Sequence, residues 1–305
     1  SMVEYEKKYS GDFHYAFYDV KQENRKYFEE NRNIESLGYM YDIGYAMLEG
    51  STNPDKPYLY IRAMDENGMK AAGVDLIEGR LPQNDHEIVI SKHLWTNGGV
   101  FYKVGDTLSL GVGERLSEGK ALHQDNPFMS DEEELQVYQQ MEYTIVGLMK
   151  RPNKHIEPIF APGYTIITFL SNKDNISHVN IYAKYTESAI QNRDKVTASI
   201  LDVSEEIYNR YNRGDMDKEV FTQMRKVASS HECNIWLLKW ELMLFSDSTK
   251  NMLYGIAGIA ILIVIFTSVF CIRNSFVISL TEKMKLYGMM SSIGATKRQR
   301  RRLVH

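Results

Sequence analysis

The nearest approach to a phosphate-binding motif in this sequence is the stretch Gly113-Glu-Arg-Leu-Ser-Glu-Gly119-Lys120-Ala121. A P-loop has four residues between its glycines and a Ser or Thr after the lysine, whose hydroxyl binds magnesium. Here five residues separate Gly113 from Gly119, and Ala121 follows Lys120. We therefore interpret the stretch as a loop and expect no nucleotide site in this chain.

Other chemistry-bearing residues lack the spacing that catalysis or metal binding requires. The sequence has no GxSxG elbow for a nucleophilic serine. The carboxylate pairs Asp12 and Asp19, or Glu133 and Glu134, have no neighbours that would separate their pKa values into acid and base roles. Eight histidines are scattered without an HxxxH or CxxC grouping. We expect no catalytic residue, no metal and no cofactor, so the chain is predicted not to be an enzyme.

An acidic stretch at residues 125–140 includes Asp131-Glu-Glu-Glu134. A run of acids could bind a cation, but the oxygen-ligand spacing of a calcium loop is missing. A solvated loop or helix face is the commoner outcome for such a run, and we take that interpretation.

The net charge of -4 hides a strong asymmetry along the 305 residues. An apolar run spans residues 252–272, and after it come eight basic residues and one acid, a net charge of +7. The rest of the chain carries -11. Lys and Arg are retained on the cytoplasmic side of a membrane, so the tail is predicted to point inward and the large part outward.

The apolar run contains 21 residues without a charge, bracketed by Lys250 and Arg273. A bilayer core needs about 20 apolar residues at helical rise, so the run fits one span better than a buried soluble helix. Aromatic residues before and at its start fit either the headgroup layer or packing under the domain, and both interpretations stay open: Trp236, Trp240, Phe245 and Tyr254.

The predicted topology places residues 1–250 outside, 251–272 in the bilayer and 273–305 in the cytoplasm. An outward domain implies an earlier span before Ser1. The two cysteines, Cys233 and Cys271, fall in different parts of this topology, so we expect no disulfide between them. The basic residues after Lys297 are better explained by orientation and anionic lipid than by nucleic acid.

Local patterns in the outer part indicate strands and helices in alternation. Residues 11–17 are predicted as a strand, and residues 18–31 as a charged helix with Asp19 as its cap. Residues 37–48 and 58–64 are predicted as paired strands. Further strands are predicted at residues 87–91, 107–112, 143–149, 164–170, 178–185 and 233–244. Further helices are predicted at residues 186–213 and 218–230.

The tail contains the motif that carries a family resemblance. It reads Ser279-Leu-Thr-Glu282-Lys-Met-Lys-Leu-Tyr287-Gly288-Met-Met-Ser-Ser-Ile293-Gly294-Ala295-Thr296-Lys-Arg-Gln299. It resembles the cytoplasmic segment of FtsX/MacB-type ABC transporter permeases, commonly E-R-x-x-x-[YFI]-G-x-L-[RK]-[AS]-[IL]-G-[AM]-[TS]-x-x-Q. Ser291 and Arg300 depart from that pattern. The matching positions are Glu282, Tyr287, Gly288, Ile293, Gly294, Ala295, Thr296 and Gln299.

The resemblance implies that this segment is a coupling helix that docks on a separate cytoplasmic ATPase. Gly288 and Gly294 permit close approach or positive φ, and Thr296 with Gln299 has the spacing of a capping box that starts a new helix. We therefore expect a helix, a break and a second helix. The expected ATPase-coupling residues are Glu282, Tyr287, Gly288, Met289, Ile293, Gly294, Ala295 and Thr296.

The outer part resembles the family's extracytoplasmic core in the order of four short patterns: Glu78-Gly79-Arg80-Leu81-Pro82, Glu87-Ile-Val-Ile-Ser91, Val104-Gly105-Asp106-Thr107 and Tyr143-Thr-Ile-Val-Gly147. The resemblance implies an α+β fold. Residues 1–70 and 171–250 would form a mixed α/β porter-like part, and residues 71–170 a β-rich insertion.

Taken together, the resemblance implies a permease subunit in the bacterial plasma membrane that couples ATP hydrolysis by a partner subunit to motion of the outer domain. The expected partners are a cytoplasmic ABC ATPase, the lipid bilayer and a second permease in a homodimer or heterodimer. Whether such a protein exports peptides, releases lipoproteins or activates cell-wall hydrolases stays open. The alternatives are a single-span sensor with a ligand-binding outer domain and a membrane-anchored hydrolase.

Overall fold

The computed structural model describes residues 2–215, 217–245 and 247–294. The chain divides into two compact units, Ser1–Met243 and Leu244–His305. The first unit is an α+β structure built on one mixed sheet, and the second is dominated by one long apolar helix. The division of residues 1–250 into a porter-like part and an insertion stays a prediction.

The strands of the sheet follow the order β11-β1-β10-β2-β3-β9-β5-β8-β6-β7, with β4 paired to β8. The pairs β3–β9 and β5–β8 are parallel, and the remaining pairs are antiparallel. The strands are β1 Tyr15–Lys21, β2 Ile34–Met47, β3 Tyr58–Met64, β4 Leu76–Gly79, β5 Glu87–Ser91, β6 Thr107–Ser117, β7 Lys120–Leu122, β8 Glu134–Met149, β9 Gly163–Phe169, β10 His178–Tyr185 and β11 Ser230–Cys233.

The helices of the first unit are mostly short. They are α1 Met2–Ser10, α2 Lys26–Glu29, α3 Glu66–Ala71, α4 His93–Gly98, α5 Glu187–Gln191, α6 Arg193–Ile200, α7 Glu205–Asn212, α8 Lys218–Met224 and α9 Ile235–Phe245. Helix α10, Asp247–Ser292, belongs to the second unit.

One half of the sheet closes on itself. Strand β2 pairs with β3 and, near Tyr45, also with β6, so β2, β3, β9, β5, β8 and β6 form a ring. Aliphatic and tyrosine side chains fill the ring, as expected when one face of every strand points inward. They include Leu59, Ile61, Ile88, Ile90, Val112, Tyr143, Ile145 and Ile166.

The other half, formed by β11, β1, β10 and the start of β2, is covered on one face by α5 to α8. Its core is rich in aromatic rings: Tyr15 stacks on Tyr185 at 5.1 Å, and Phe17 meets Phe28 edge-on at 4.9 Å. Aromatic pairs in these geometries stabilise a fold beyond the contribution of the apolar area that they bury. This half also contains both places where the chain enters and leaves the sheet.

The strands predicted at residues 37–48, 58–64, 87–91 and 178–185 are confirmed. The prediction of a helix over residues 18–31 is wrong, because β1 continues to Lys21 through its pairing with β10, and only a short turn and α2 follow. Asp19 is not a helix cap; it sits at φ 57° in a bulge of β1, and its N–H donates to Asn180.

Two further predictions need correction. Residues 186–213 form the three helices α5, α6 and α7 rather than one, and Ser204 caps the last of them by accepting the N–H of Ile207. Residues 233–244, predicted as a strand, form the end of β11 and then helix α9. Pairing with β1 stops at Cys233, and the side chain of Asn234 accepts the N–H of Leu237 at 3.5 Å.

Helix α10 extends over 46 residues, about 69 Å at helical rise. Its stretch Asn251–Ser292 is long and apolar enough to cross a membrane, and its most apolar window is not buried in the chain. The predicted span at 252–272 lies within this stretch, and the helix continues for 20 residues beyond it. It ends before Gly294, whose φ of +80° is left-handed.

Candidate functional site

The chain enters and leaves the first unit at adjacent positions. Helix α1 leads into β1, and β11, which pairs with β1, leads into α9. Gly11 forms the first junction at φ +98°, and a Cβ there would lie 2.2 Å from the carbonyl oxygen of Ala71. Only glycine combines that conformation with that clearance. The two junctions are therefore locally constrained.

Asn234 joins the two junctions. Its side-chain Nδ2 donates to the carbonyl oxygens of Ser10 at 3.2 Å and Gly11 at 3.0 Å. Its backbone N–H donates to the carbonyl oxygen of His14 at 2.9 Å. Asn234 is buried, so these bonds replace the water that would otherwise satisfy the same groups.

His14 and Glu241 form the second connection. The Nε2 of His14 lies 2.6 Å from a carboxylate oxygen of Glu241, and both residues are buried. The N–H of Tyr185 donates to Nδ1 of the same ring at 2.8 Å. Because Nδ1 must present a lone pair to that donor, the ring hydrogen lies on Nε2 and donates to the carboxylate. We call Ser10, Gly11, His14, Tyr185, Asn234 and Glu241 the root cluster.

A second polar group is centred on Glu232 of β11. The carboxylate of Glu232 accepts the hydroxyl of Tyr18 at 2.6 Å and lies 3.1 Å from Nδ1 of His155. Burial alone would raise the pKa of Glu232, but the hydrogen bonds from His155 and Tyr18 outweigh it and lower the pKa. Glu232 thus ties the segment around His155 to the same edge of the sheet.

The predicted coupling residues lie in the second unit. Glu282, Tyr287, Gly288 and Met289 are on α10, and Ile293 and Gly294 follow its end. Helical spacing places Glu282, Met289 and Ile293 on one face and Tyr287 and Gly288 on others. The predicted residues Ala295 and Thr296, with Gln299, lie outside the described residues.

The face that carries Glu282, Met289 and Ile293 has exposed apolar side chains. Met289 is 61% exposed and Ile293 80% exposed. Gly288 has helical geometry, and a Cβ there would meet nothing within 4 Å. The expected positive φ is found at Gly294 and not at Gly288. The break predicted in this segment therefore begins at Gly294, and the role of these residues in ATPase docking stays a prediction.

The acidic stretch takes a different form from the expected loop or helix face. Residues from Glu134 onward belong to β8, and Glu133 is buried against Arg115 with oxygen and nitrogen 2.7 Å apart. Burial would raise the pKa of Glu133, but the Arg115 guanidinium lowers it. Arg115 also donates to carbonyl oxygens of His123 and Asn126, so this ion pair closes the loop.

No protein-family model and no curated protein matches this sequence. Solved structures do show a likeness. The chain is similar to extracytoplasmic domains of ABC transporter permeases. The extracellular domain of the noncanonic ABC-type transporter YknZ from Gram-positive bacteria is 10% identical, with a TM-score of 0.38 over 72% of this chain and 98% of that chain.

Two further structures are similar to a comparable degree. The periplasmic region of MacB from Actinobacillus actinomycetemcomitans is 9% identical, with a TM-score of 0.37 over 70% of this chain and 98% of that chain. A domain of a permease protein from Porphyromonas gingivalis is 14% identical, with a TM-score of 0.32 over 72% of this chain and 86% of that chain.

The root cluster was not predicted from the sequence. A signal for one part of it exists, because the buried positions 234, 237, 238 and 241 have the spacing of a helix face. Asn234 and Glu241 occupy two of these four positions. An apolar helix face is therefore not recognisable in the sequence. No local pattern indicates that His14 meets a residue 227 positions away.

Proposed function

We propose that the chain is a permease subunit of an ABC transporter of the FtsX/MacB type. In this proposal the Ser1–Met243 unit lies outside the bacterial plasma membrane, and residues 251–272 cross the bilayer. The basic tail contacts a separate cytoplasmic ATPase. The chain itself supplies no ATP hydrolysis, and it works with a second permease subunit as a homodimer or heterodimer.

The observation that carries the proposal is helix α10. Its charge-free run of about 31 Å matches a bilayer core of about 30 Å, and the side chains of this run are exposed. A soluble protein rarely leaves so large an apolar surface uncovered. The coupling motif follows the run in the same continuous helix, which ends beside Gly294. One rigid element thus joins the predicted span to the predicted docking segment.

The root cluster supplies the outer end of the proposed coupling. Helix α10 follows α9 in the sequence, so the covalent chain carries a displacement of α10 to α9. Asn234 and Glu241 hold the start of α9 and its buried face to Gly11 and His14. Because these bonds are buried, breaking them is costly, and a displacement of α9 is passed to β1 and β10 instead of unwinding the junction.

The test is co-purification of the full-length permease with candidate ATPases encoded near its gene. The wild type is compared with a Gly288→Trp plus Gly294→Trp variant, and a Gly255→Trp variant serves as the control because Gly255 lies in the apolar run. We expect the wild type and the control to retain the ATPase and the double variant to lose it. An ATPase retained equally by all three, or no ATPase partner at all, would favour the single-span sensor.

A further inference from the structure

Strand β11 leaves one edge of the sheet open. It is the last strand in the order, with β1 as its neighbour among the described residues. Asn234 directs its N–H to β1. Since successive residues of a strand direct their N–H and C=O groups to opposite sides, His231 and Cys233 direct theirs away from β1. An open edge of this kind is a template for another strand.

A cavity of about 500 Å³ lies beside this edge. Its walls come from β11, from the start of α6, from α7 and from α9. That volume is in the range of pockets that bind small molecules and peptide side chains. The residues that line it and enter the argument are Arg193, Tyr208, Tyr211, Asn212, His231 and Lys239.

Three rings pack together along one side of the cavity, those of Tyr208, Tyr211 and His231. Ring centroids of Tyr208 and Tyr211 lie 5.8 and 5.6 Å from that of His231. Burial lowers the pKa of His231 to about 4, so the imidazole is neutral near pH 7. Register with β1 places the side chain of His231 on the same face as Phe17, the face that the helices cover. The cavity therefore suits an apolar or aromatic side chain.

The charged residues that line the cavity are two basic and two acidic: Arg193, Lys239, Asp194 and Glu232. Arg193 lies 3.9 Å from Asp194, so its charge has a partner. Lys239 is exposed, and its ammonium lies over the ring of Trp236 at 4.8 Å. No carboxylate pairs with Lys239 within the described part of the chain. Glu232 lines the same region, but its carboxylate is bonded to Tyr18 and His155 on the opposite face.

We propose that β11 and the adjoining cavity form a binding site for an extended peptide, which adds to the sheet as a strand. The outward N–H and C=O groups of His231 and Cys233 bond the peptide backbone. An aromatic or aliphatic side chain of the peptide enters the cavity, and an acidic residue of the peptide pairs with Lys239. Main-chain bonds give such sites affinity, and the side-chain pocket gives specificity.

This site borders helix α9, and it does not depend on the proposed ATPase partner. Helix α9 supplies one wall of the cavity and also carries Glu241 of the root cluster. A bound peptide therefore contacts the element through which the chain leaves the first unit. Loss of ATPase binding would leave the peptide site intact, and loss of the peptide site would leave ATPase binding intact.

The experiment measures peptide binding to the full chain in lipid nanodiscs. The probes are acetylated, amidated hexapeptides Thr-Val-Xaa-Val-Glu-Thr in which Xaa is Phe, Tyr, Leu or Ala. We expect saturable binding of the Phe, Tyr and Leu peptides, with the Ala peptide weaker by about tenfold. Matched peptides with N-methyl groups on Xaa and on the valine that follows it keep the side chains, and one of the two lost donors faces β11 in either strand orientation, so we expect them to bind at least about tenfold more weakly.

Protein variants identify the site. Asn212→Trp fills the cavity from an exposed position and is expected to abolish binding, whereas Asn212→Ala keeps it. Lys239→Glu is expected to weaken the peptide by about tenfold, and Lys120→Glu, on the strand at the opposite edge of the sheet, to leave it unchanged. Protection of the His231 and Cys233 amides from hydrogen exchange would accompany binding.

Three results would overturn the proposal. The first is no saturable binding by any of the four peptides. The second is equal binding of the N-methylated peptides, which would mean side-chain adhesion without strand addition. The third is a concentration-dependent dimer that the peptides do not disturb and that protects the His231 and Cys233 amides, because the edge would then belong to a second copy of this chain.

Discussion

The imidazole of His14 and the carboxylate of Glu241 lie 2.6 Å apart, although 227 residues separate them in the sequence. His14 precedes β1, where the chain enters the sheet, and Glu241 is on α9, where it leaves. The contact therefore joins the two ends of the first unit. In the proposed function, movement of α10 reaches the sheet through this junction.

Replacing Glu241 by Leu should destabilise the first unit by about 2 kcal/mol, because the Nε2–H of His14 would be buried without an acceptor. Glu241→Gln keeps an acceptor oxygen and should cost less. All three tryptophans lie in the first unit, so their fluorescence during urea unfolding reports on it.

The double variant His14→Phe plus Glu241→Leu is the control for that measurement, because it removes both partners. It should be more stable than the sum of the single effects predicts, with an interaction term of about 2 kcal/mol. Strict additivity of the two substitutions would show that the contact carries no coupling.

Gly294 and Gly288 should differ in their tolerance of a methyl group. Gly294→Ala forces an L-residue into φ +80° and should cost about 1 kcal/mol or extend the helix, weakening ATPase binding. Gly288→Ala is helical and open, so it should stabilise α10 slightly. Helicity and ATPase retention would be measured together. Equal retention of the ATPase by the two alanine variants would show that ATPase binding does not require the break at Gly294.

The stability of the first unit should fall as the pH drops from about 6.5 to about 4. The pKa of His231 is lowered to about 4 by burial, so the unfolded chain binds a proton that the folded chain refuses. Folding stability therefore rises with pH across this window, and the loss on acidification is up to about 2 kcal/mol. His231→Phe should flatten the dependence in urea unfolding at pH 7 and 5. An unchanged slope in this variant would assign the effect to other groups.

Arg115→Met should destabilise the first unit by about 3 to 5 kcal/mol, because Glu133 would remain as a buried charge without its partner. Arg115→Met plus Glu133→Leu removes both charges and should recover most of the loss. Limited proteolysis between residues 123 and 133 should follow the same order, since Arg115 bonds the carbonyl oxygens of this loop. A double variant as unstable as the single one would contradict this explanation.

The sequence predicted an element correctly where its local pattern and its tertiary contacts favour the same secondary structure. Residues 58–64 form a strand with every side chain buried, and an apolar run of that length between turn residues permits little else. Residues 18–21 were misassigned because their charges suggested a helix surface, whereas Tyr18 pairs with β11, and Val20 and Lys21 pair with β10 beyond the bulge at Asp19. Such pairing joins residues more than 150 positions apart and leaves no local pattern.

The candidate site was predictable only in its second-unit part. The coupling motif is a contiguous stretch, so a resemblance can find it, and its break at Gly294 follows from glycine's tolerance of positive φ. The root cluster depends on contacts between the two ends of a 243-residue unit. Its polar members Asn234 and Glu241 also occupy two of the buried positions of this segment, where a strand was wrongly predicted.

The central claim is that ATP-driven movement of α10 reaches the outer sheet through the root cluster. Hydrogen exchange at the amides of Tyr185 and Asn234 tests it most directly, in nanodiscs that contain the full-length permease and its ATPase, with and without ATP. We predict that ATP changes the exchange of both amides in the wild type and not in the Gly288→Trp plus Gly294→Trp variant. Identical exchange with and without ATP, in a complex that hydrolyses ATP, would contradict the account.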